Sequence, residues 1–140
     1  LRFASAGSTF GIPAAKLGLA YAASGTRCLV DLVGPAYAKE IFFTARRFSH
    51  DEAHAMGLIN RVFTREALQA ETRATCATIA DNAPLTVMTA KKIIDETLKA
   101  PENFAAAFCD QLIERCFHSE DYAEGRTAFM EKRKAVFKGK

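Results

Sequence analysis

An α/β fold with its strands toward the front and its helices behind is predicted from three features of the 140-residue sequence. The first quarter sets short extended pieces against glycines, from "LRFAS" through "STFGIPAAKLGLAYAASGT". From about residue 22 the apolar residues recur at spacings of three and four, the period of an amphipathic helix. Caps and breakers punctuate that pattern, and the length suits one compact domain that buries about two thirds of its unfolded surface.

The elements follow in order. Leu1, Phe3 and Ala4 open the chain as a strand, and since the first residue is Leu in what reads as mid-sheet, an upstream part is expected. "GTRCLVDLVG" is a short helix closed by Gly34, and Pro35 stands where Pro opens the next, "AYAKEIFFTA". Ser49 and Glu52 form a capping-box pattern and Gly57 is a C-terminal cap, which sets a short helix over 51–56 between them. "LINRVF" alternates as a strand does. Thr64 caps a helix to about Asn82 with Leu68, Thr72, Cys76 and Ile79 on one face. Pro84 opens another, with Val87, Ala90, Ile94 and Leu98 as its stripe. Pro101 forces a break, Phe104, Phe108, Leu112 and Cys116 line a third, and Ser119 caps a fourth that carries Tyr122, Arg126 and Phe129 on one side.

Charge is local. The formal net charge is +3, but the last ten residues, "EKRKAVFKGK", hold five basic groups against Glu131, which leaves the remainder near −1. That argues for a local anionic partner, such as a nucleotide phosphate, over a long nucleic-acid track, and fits a solvated, frayed terminus equally well. Cys28, Cys76, Cys109 and Cys116 show no CxxC pair and read as buried free thiols in a reducing compartment. No apolar run approaches the ~20 residues of a membrane span, no signal peptide is visible, and a soluble chain is expected.

Candidate chemistry is sparse. His50 and His54 are four apart with Asp51 and Glu52 between them, a ligand-like spacing without a third ligand and equally the capped start of a solvent-facing helix. His118 reads as a turn residue. No nucleophile elbow, phosphate-loop Lys or paired carboxylates occur in Ser8 to Thr26. The Gly and Ala of that stretch suit either close backbone approach to a ligand, with Gly25-Thr26 aiming N–H groups at an acceptor, or tight helix-on-strand packing.

"TFGIPAAKLGL", "LVGPAYAKEIFFTARRFSHDEAHAMGLINRVF", "NAPLTVMTAKKIID" and "SEDYAEGRTAFMEKRKAVFKG" together resemble the enoyl-CoA hydratase/isomerase (crotonase) superfamily over essentially the whole chain. The resemblance implies the C-terminal part of a stack of ββα turns: residues 1–63 would finish the acyl-CoA-binding core and 64–140 would form a helical region that drives trimers or dimers of trimers. It implies an acyl-CoA thioester as substrate with no further cofactor or metal, no nucleic-acid or membrane partner, and a cytoplasmic location, or the mitochondrial matrix in a eukaryote. The family holds a thioester enolate with two backbone N–H groups. That pair and the first catalytic Glu would lie upstream of Leu1, so the fragment alone is expected to be inactive.

Ala14 follows Pro13 where the hydratases carry their second catalytic Glu. A methyl group moves no proton, so hydration by two carboxylates loses one of them, while isomerisation, decarboxylation, hydrolysis or a slow hydration using another group stay open. The same change motivates the alternative of a non-catalytic, trimeric acyl-CoA-binding or scaffold protein. Tyr21, with Ala22 and Ser24 replacing family glycines, is a pocket candidate or a filler of the volume that Glu vacates. In the tail, Phe129 and Lys132 correspond to the family's residues at the adenine and phosphate end of CoA. Their spacing on a helix puts both on one face, one for a base and one for a phosphate, or equally makes them a core Phe and a surface Lys.

Overall fold

A computed structural model describes residues 1–140. The chain forms two compact units, Leu1–Arg73 and Ala74–Lys140. No helix in either is long and apolar enough to cross a membrane.

The first unit holds all four strands. β1 (Phe3–Ser5) pairs in parallel with β4 (Arg61–Phe63), and β2 (Thr9–Phe10) pairs antiparallel with β3 (Phe48–Ser49). A parallel pair needs a long crossover, which the intervening helices provide. These are α1 (Ala14–Leu17), α2 (Ala23–Thr44) and α3 (His50–Ala55). α2 is two helices meeting at Gly34, whose φ of 74° and ψ of 165° suit a residue without Cβ, and Pro35 opens the second as the sequence implied. α3 begins with the expected capping box: Ser49 Oγ accepts from the Glu52 N–H, and the Glu52 carboxylate accepts from the Ser49 N–H. It ends in a Schellman turn, with the Leu58 N–H on the Ala53 carbonyl, the Gly57 N–H on that of His54, and Gly57 at φ 79°. His50, singled out for its spacing from His54, instead accepts the Gly7 N–H at Nδ1, 3.2 Å away.

Two apolar clusters sit inside this unit. Val33, Ala38, Ile41, Phe48 and Met56 form one, and Ala4, Ala53 and Ile59 the other, with Leu58 packed against both. Phe48 is the largest fully buried side chain and contributes about 2–3 kcal/mol by its burial. Beside it, Gly11 lies so close to the next segment that a Cβ there would stand 2.7 Å from the Arg46 carbonyl oxygen.

The second unit is helical. α4 (Leu68–Ala80) spans the division between the units, and α5 (Pro84–Thr97), α6 (Ala106–Phe117) and α7 (Glu120–Met130) follow, with a 3₁₀ turn over Pro101–Asn103. Thr64 and Ser119 cap as expected, accepting from the Ala67 and Tyr122 N–H groups. Three sequence expectations are corrected. The anticipated stripe of α5 is its exposed one, with Ile94 59% and Leu98 55% accessible, while Leu85, Thr89 and Glu96 are buried. The polar members of that buried face are satisfied where α5 meets α6: the Thr89 hydroxyl contacts Cys116 Sγ at 3.2 Å, and Glu96 accepts from Lys99 and from the Ala105 N–H. Phe104 precedes α6 in extended backbone. Cys28 and Cys76 are exposed; only Cys109 is buried, because α4 buries no residue and Cys28 lies on an uncovered side of α2.

Residues 131–140 lie as a strap held by α7. The Asp121 carboxylate, 3% exposed, accepts the Lys138 and Gly139 N–H groups at 2.6 and 2.8 Å. Glu124 accepts Arg133 on both oxygens, at 2.7 and 2.9 Å, and the Val136 N–H at 2.9 Å. Lys134 pairs with Asp81 at 2.7 Å. Two of the five basic groups of the tail are thus neutralised within the unit.

Two outcomes follow. Gly11→Ala forces the Arg46 carbonyl away and lowers stability by about 1–3 kcal/mol, measured by denaturant unfolding. Arg133 and the Val136 N–H hold the Glu124 carboxyl down at about 2. Its stabilising contribution is therefore complete above the ordinary carboxylate range near 4.5 and fades as the pH falls toward 2. Unfolding of the Glu124→Gln variant, compared with the parent between pH 6 and about pH 2, should show a stability gap that closes on acidification.

Candidate functional site

Of the four residues singled out from the sequence, Ala14 and Tyr21 line a cavity of the first unit and Phe129 lines one of the second, while Lys132 lines neither. In the first unit a cavity of about 440 Å³ opens between α1 and α2, within the usual size range of small-molecule sites. Pro13 ends the extended segment and Ala14 begins α1, which Gly18 closes in the left-handed region at φ 65°. Ala14 is 4% exposed and forms part of the cavity wall, together with Leu19, Tyr21 and, from α2, Pro35, Phe42 and Phe43. Ala14 and Tyr21 are thus brought to one site.

The Tyr21 ring packs edge-on against Phe42, with centroids 5.5 Å apart at 68°, and stays half exposed. The other polar side chains on the wall are Thr26 and Lys39. Thr26 is committed locally: its N–H and its hydroxyl both donate to the Ala22 carbonyl. That corrects the reading in which Thr26 aims its N–H at a ligand. No carboxylate lines this cavity.

What holds the far end of α2 is Arg46. Its guanidinium donates to Glu40 at 2.7 Å and to Glu52 at 2.8 Å, and lies 3.7 Å over the Phe48 ring. Hydrogen bonds to the Ser49 N–H and to Arg46 hold the Glu52 carboxyl below its ordinary range, and Glu40 and Glu52 raise Arg46 in turn. Glu52 closes the α3 cap with the same carboxylate. One cation therefore joins the end of α2 to the start of α3.

In the second unit a cavity of about 530 Å³ is walled by Phe117, Tyr122, Arg126, Phe129 and Phe137. Tyr122 meets Phe117 edge-on at 5.3 Å, and the Arg126 guanidinium lies 5.6 Å from the Tyr122 centroid. Tyr122, Arg126 and Phe129 do share one side of α7, as the spacing implied. Phe137 reaches this wall from the strap and packs 3.5 Å from where a Cβ of Gly125 would lie.

Lys132 departs from the geometry assumed for it. α7 ends at Met130, and Lys132 occupies the left-handed region at φ 54°. Its N–H bonds the Phe129 carbonyl, and the Arg133 N–H bonds that of Ala128, which is the Schellman pattern with Lys at the position that ordinarily takes Gly. The shared helical face with Phe129 is therefore lost, because the chain has left the helix before it reaches Lys132. Lys132 is exposed and makes no ion pair.

The sequence reasoning missed Lys39, the strap and the strain at Lys132. The strap had a readable signal, two acids three apart on α7 followed by Arg133 in a run of basic residues.

The chain matches the family described as "Enoyl-CoA hydratase/isomerase" over residues 1–140. A short-chain-enoyl-CoA hydratase of Clostridium acetobutylicum is 36% identical over 134 residues, which cover 96% of this chain and 51% of that protein. A crotonyl-CoA hydratase of Syntrophomonas wolfei is 35% identical over 136 residues, covering 97% and 52%. Among solved structures, an enoyl-CoA hydratase/carnithine racemase from Magnetospirillum magneticum superposes with a TM-score of 0.90 at 36% identity, covering 100% of this chain and 52% of that one. The chain spans about half the length of the curated relatives it matches.

The left-handed Lys132 carries a measurable consequence. Lys132→Gly relieves the Cβ strain of that conformation and raises the stability of the chain by about 1 kcal/mol, read as a higher unfolding midpoint.

Proposed function

Because the chain belongs to the enoyl-CoA hydratase/isomerase family, we propose that it forms part of an acyl-CoA site acting through a stabilised thioester enolate. The observation that carries this reading is the place of residue 14. The position directly after Pro13, where hydratases carry a catalytic Glu, is the first residue of α1 and lies on the wall of a substrate-sized, mainly apolar cavity. A family site that had merely drifted in sequence would have no reason to keep that cavity.

On this reading the acyl group occupies the space between α1 and α2, with Tyr21 and Phe42 bounding it. The enolate oxygen is held by a backbone N–H pair, preorganised where charge develops, from the half of the family's length that these residues do not cover. Ala14 supplies no proton transfer, so hydration lacks one of its two acid/base groups, and reactions that need a single such group fit better. Phe129 and Lys132 serve the adenine and phosphate end of coenzyme A, as in the family, where they often reach a neighbouring subunit's site. The strain at Lys132 supports that role, since a helix end that stability alone would give to Gly keeps an ammonium in the open.

Residues 1–63 then complete the acyl-CoA core and 64–140 drive self-association into trimers or dimers of trimers. Exposed apolar side chains in the second unit, Phe129 at 83% and Met130 at 80%, favour a covered surface in the assembly. The cytoplasm suits such an enzyme. The second reading, a non-catalytic acyl-CoA-binding scaffold, is favoured by Ala14 alone.

Calorimetry with crotonyl-CoA tests the site. Binding is expected, and both Lys132→Ala and Lys132→Gly should weaken it about tenfold through the lost charge-assisted contact to phosphate. No binding, or binding indifferent to both substitutions, overturns the reading. Turnover of crotonyl-CoA, a 3-enoyl-CoA or a malonyl thioester eliminates the scaffold.

A further inference from the structure

The cavity between α1 and α2 bears a single formal charge, and it is positive. Lys39 reaches its wall from α2, among Pro35, Phe42 and Phe43 on the same helix, and no Asp or Glu lines the space. The acid next to it in sequence is unavailable, since Glu40 is held by Arg46 at 2.7 Å. Lys39 itself makes no ion pair. Residue 14, the other position from which a charge could enter, carries a methyl group.

These two facts act in the same direction. Lys39 is exposed, and a carboxylate brought to its unpaired ammonium gains a charge-assisted hydrogen bond. A carboxylate at position 14 would oppose that by like-charge repulsion within the same cavity, and Ala14 removes the opposition. Tyr21 adds a neutral hydroxyl and Thr26 is already bonded to the Ala22 carbonyl, so nothing else in the cavity competes for Lys39.

We propose that Lys39 makes this cavity selective for acyl-CoA thioesters whose acyl group ends in a carboxylate, the monothioesters of short dicarboxylic acids. The inference rests on the acyl-CoA reading above and names its substrate class. Lys39 acts on selection; the chemistry at the thioester is left to other groups.

Butyryl-CoA and succinyl-CoA form a matched pair, four acyl carbons each, differing in the terminal carboxylate. Titrated calorimetrically into the protein, succinyl-CoA is expected to bind about tenfold more tightly. Lys39→Met keeps the apolar stem and should remove that preference, weakening succinyl-CoA about tenfold more than butyryl-CoA. Lys39→Arg should retain it. Equal or weaker binding of succinyl-CoA by the parent protein, or an equal loss of both ligands in Lys39→Met, overturns the selectivity while the acyl-CoA reading stands. Failure of both thioesters to bind overturns the two together.

Discussion

The Arg46 guanidinium, seated 3.7 Å over the Phe48 ring with a carboxylate on each side, is the contact on which the first unit turns. Phe48 is fully buried and supplies the apolar stabilisation. Burial is non-directional, however, and would tolerate a helix end displaced by a few ångströms. Direction comes from Arg46, whose planar fork meets Glu40 at the end of α2 and Glu52 at the start of α3. Glu52 is in turn fixed by the Ser49 N–H, and the Arg46 carbonyl presses on Gly11 just before Pro13 and Ala14. Position 14 is therefore set by a chain of contacts that begins outside the cavity. The cavity wall inherits its geometry from a salt-bridged corner that does not line it.

The second unit solves a similar problem with carboxylates aimed at backbone. Residues after Met130 form no helix or strand, so their N–H groups need acceptors from elsewhere. Asp121 and Glu124, one turn apart on α7, accept three of them, from Lys138, Gly139 and Val136. Glu124 also takes Arg133 in a two-point contact, which fixes orientation as well as distance. The strap brings Phe137 to the aromatic wall shared with Tyr122 and Phe129. Basic residues that by composition alone could all have served an anionic ligand are partly consumed in holding the tail.

Local signals were legible in the sequence wherever a single residue type decides the conformation. The Ser49–Glu52 box, the caps at Thr64 and Ser119, the Gly34–Pro35 junction and the Gly57 turn all depend on contacts within a few residues, and each stands in the structure. Burial was less legible. α5 is apolar on two sides, and the buried one contains Thr89 and Glu96, whose polar atoms are satisfied by residues up to 27 positions away. Periodicity favours the stripe without polar residues and so chose the exposed one. The shared face of Phe129 and Lys132 failed for a related reason: their spacing fits a helix, but only the turn hydrogen bonds reveal that the helix has ended. Ala14 and Tyr21 were singled out because a family pattern marked their positions, and both line one cavity wall. Lys39 was missed because nothing in "AYAKEIFF" distinguishes a lysine on a cavity wall from one in solvent.

The residues that hold this fold and those that could do chemistry in it are largely separate, and that separation gives Ala14 its meaning. Position 14, the first residue of α1, carries a methyl group, while Pro13, Gly18 and the Gly11–Arg46 contact set the backbone around it. The cavity wall holds no acid, and its one formal charge comes from Lys39 on α2. Shape depends on buried contacts that fail together when any is disturbed. Charge depends on single side chains at the wall, each replaceable alone. A scaffold of this kind changes its reaction at far lower structural cost than it changes its fold, so the chemistry must be read from the wall residues one by one.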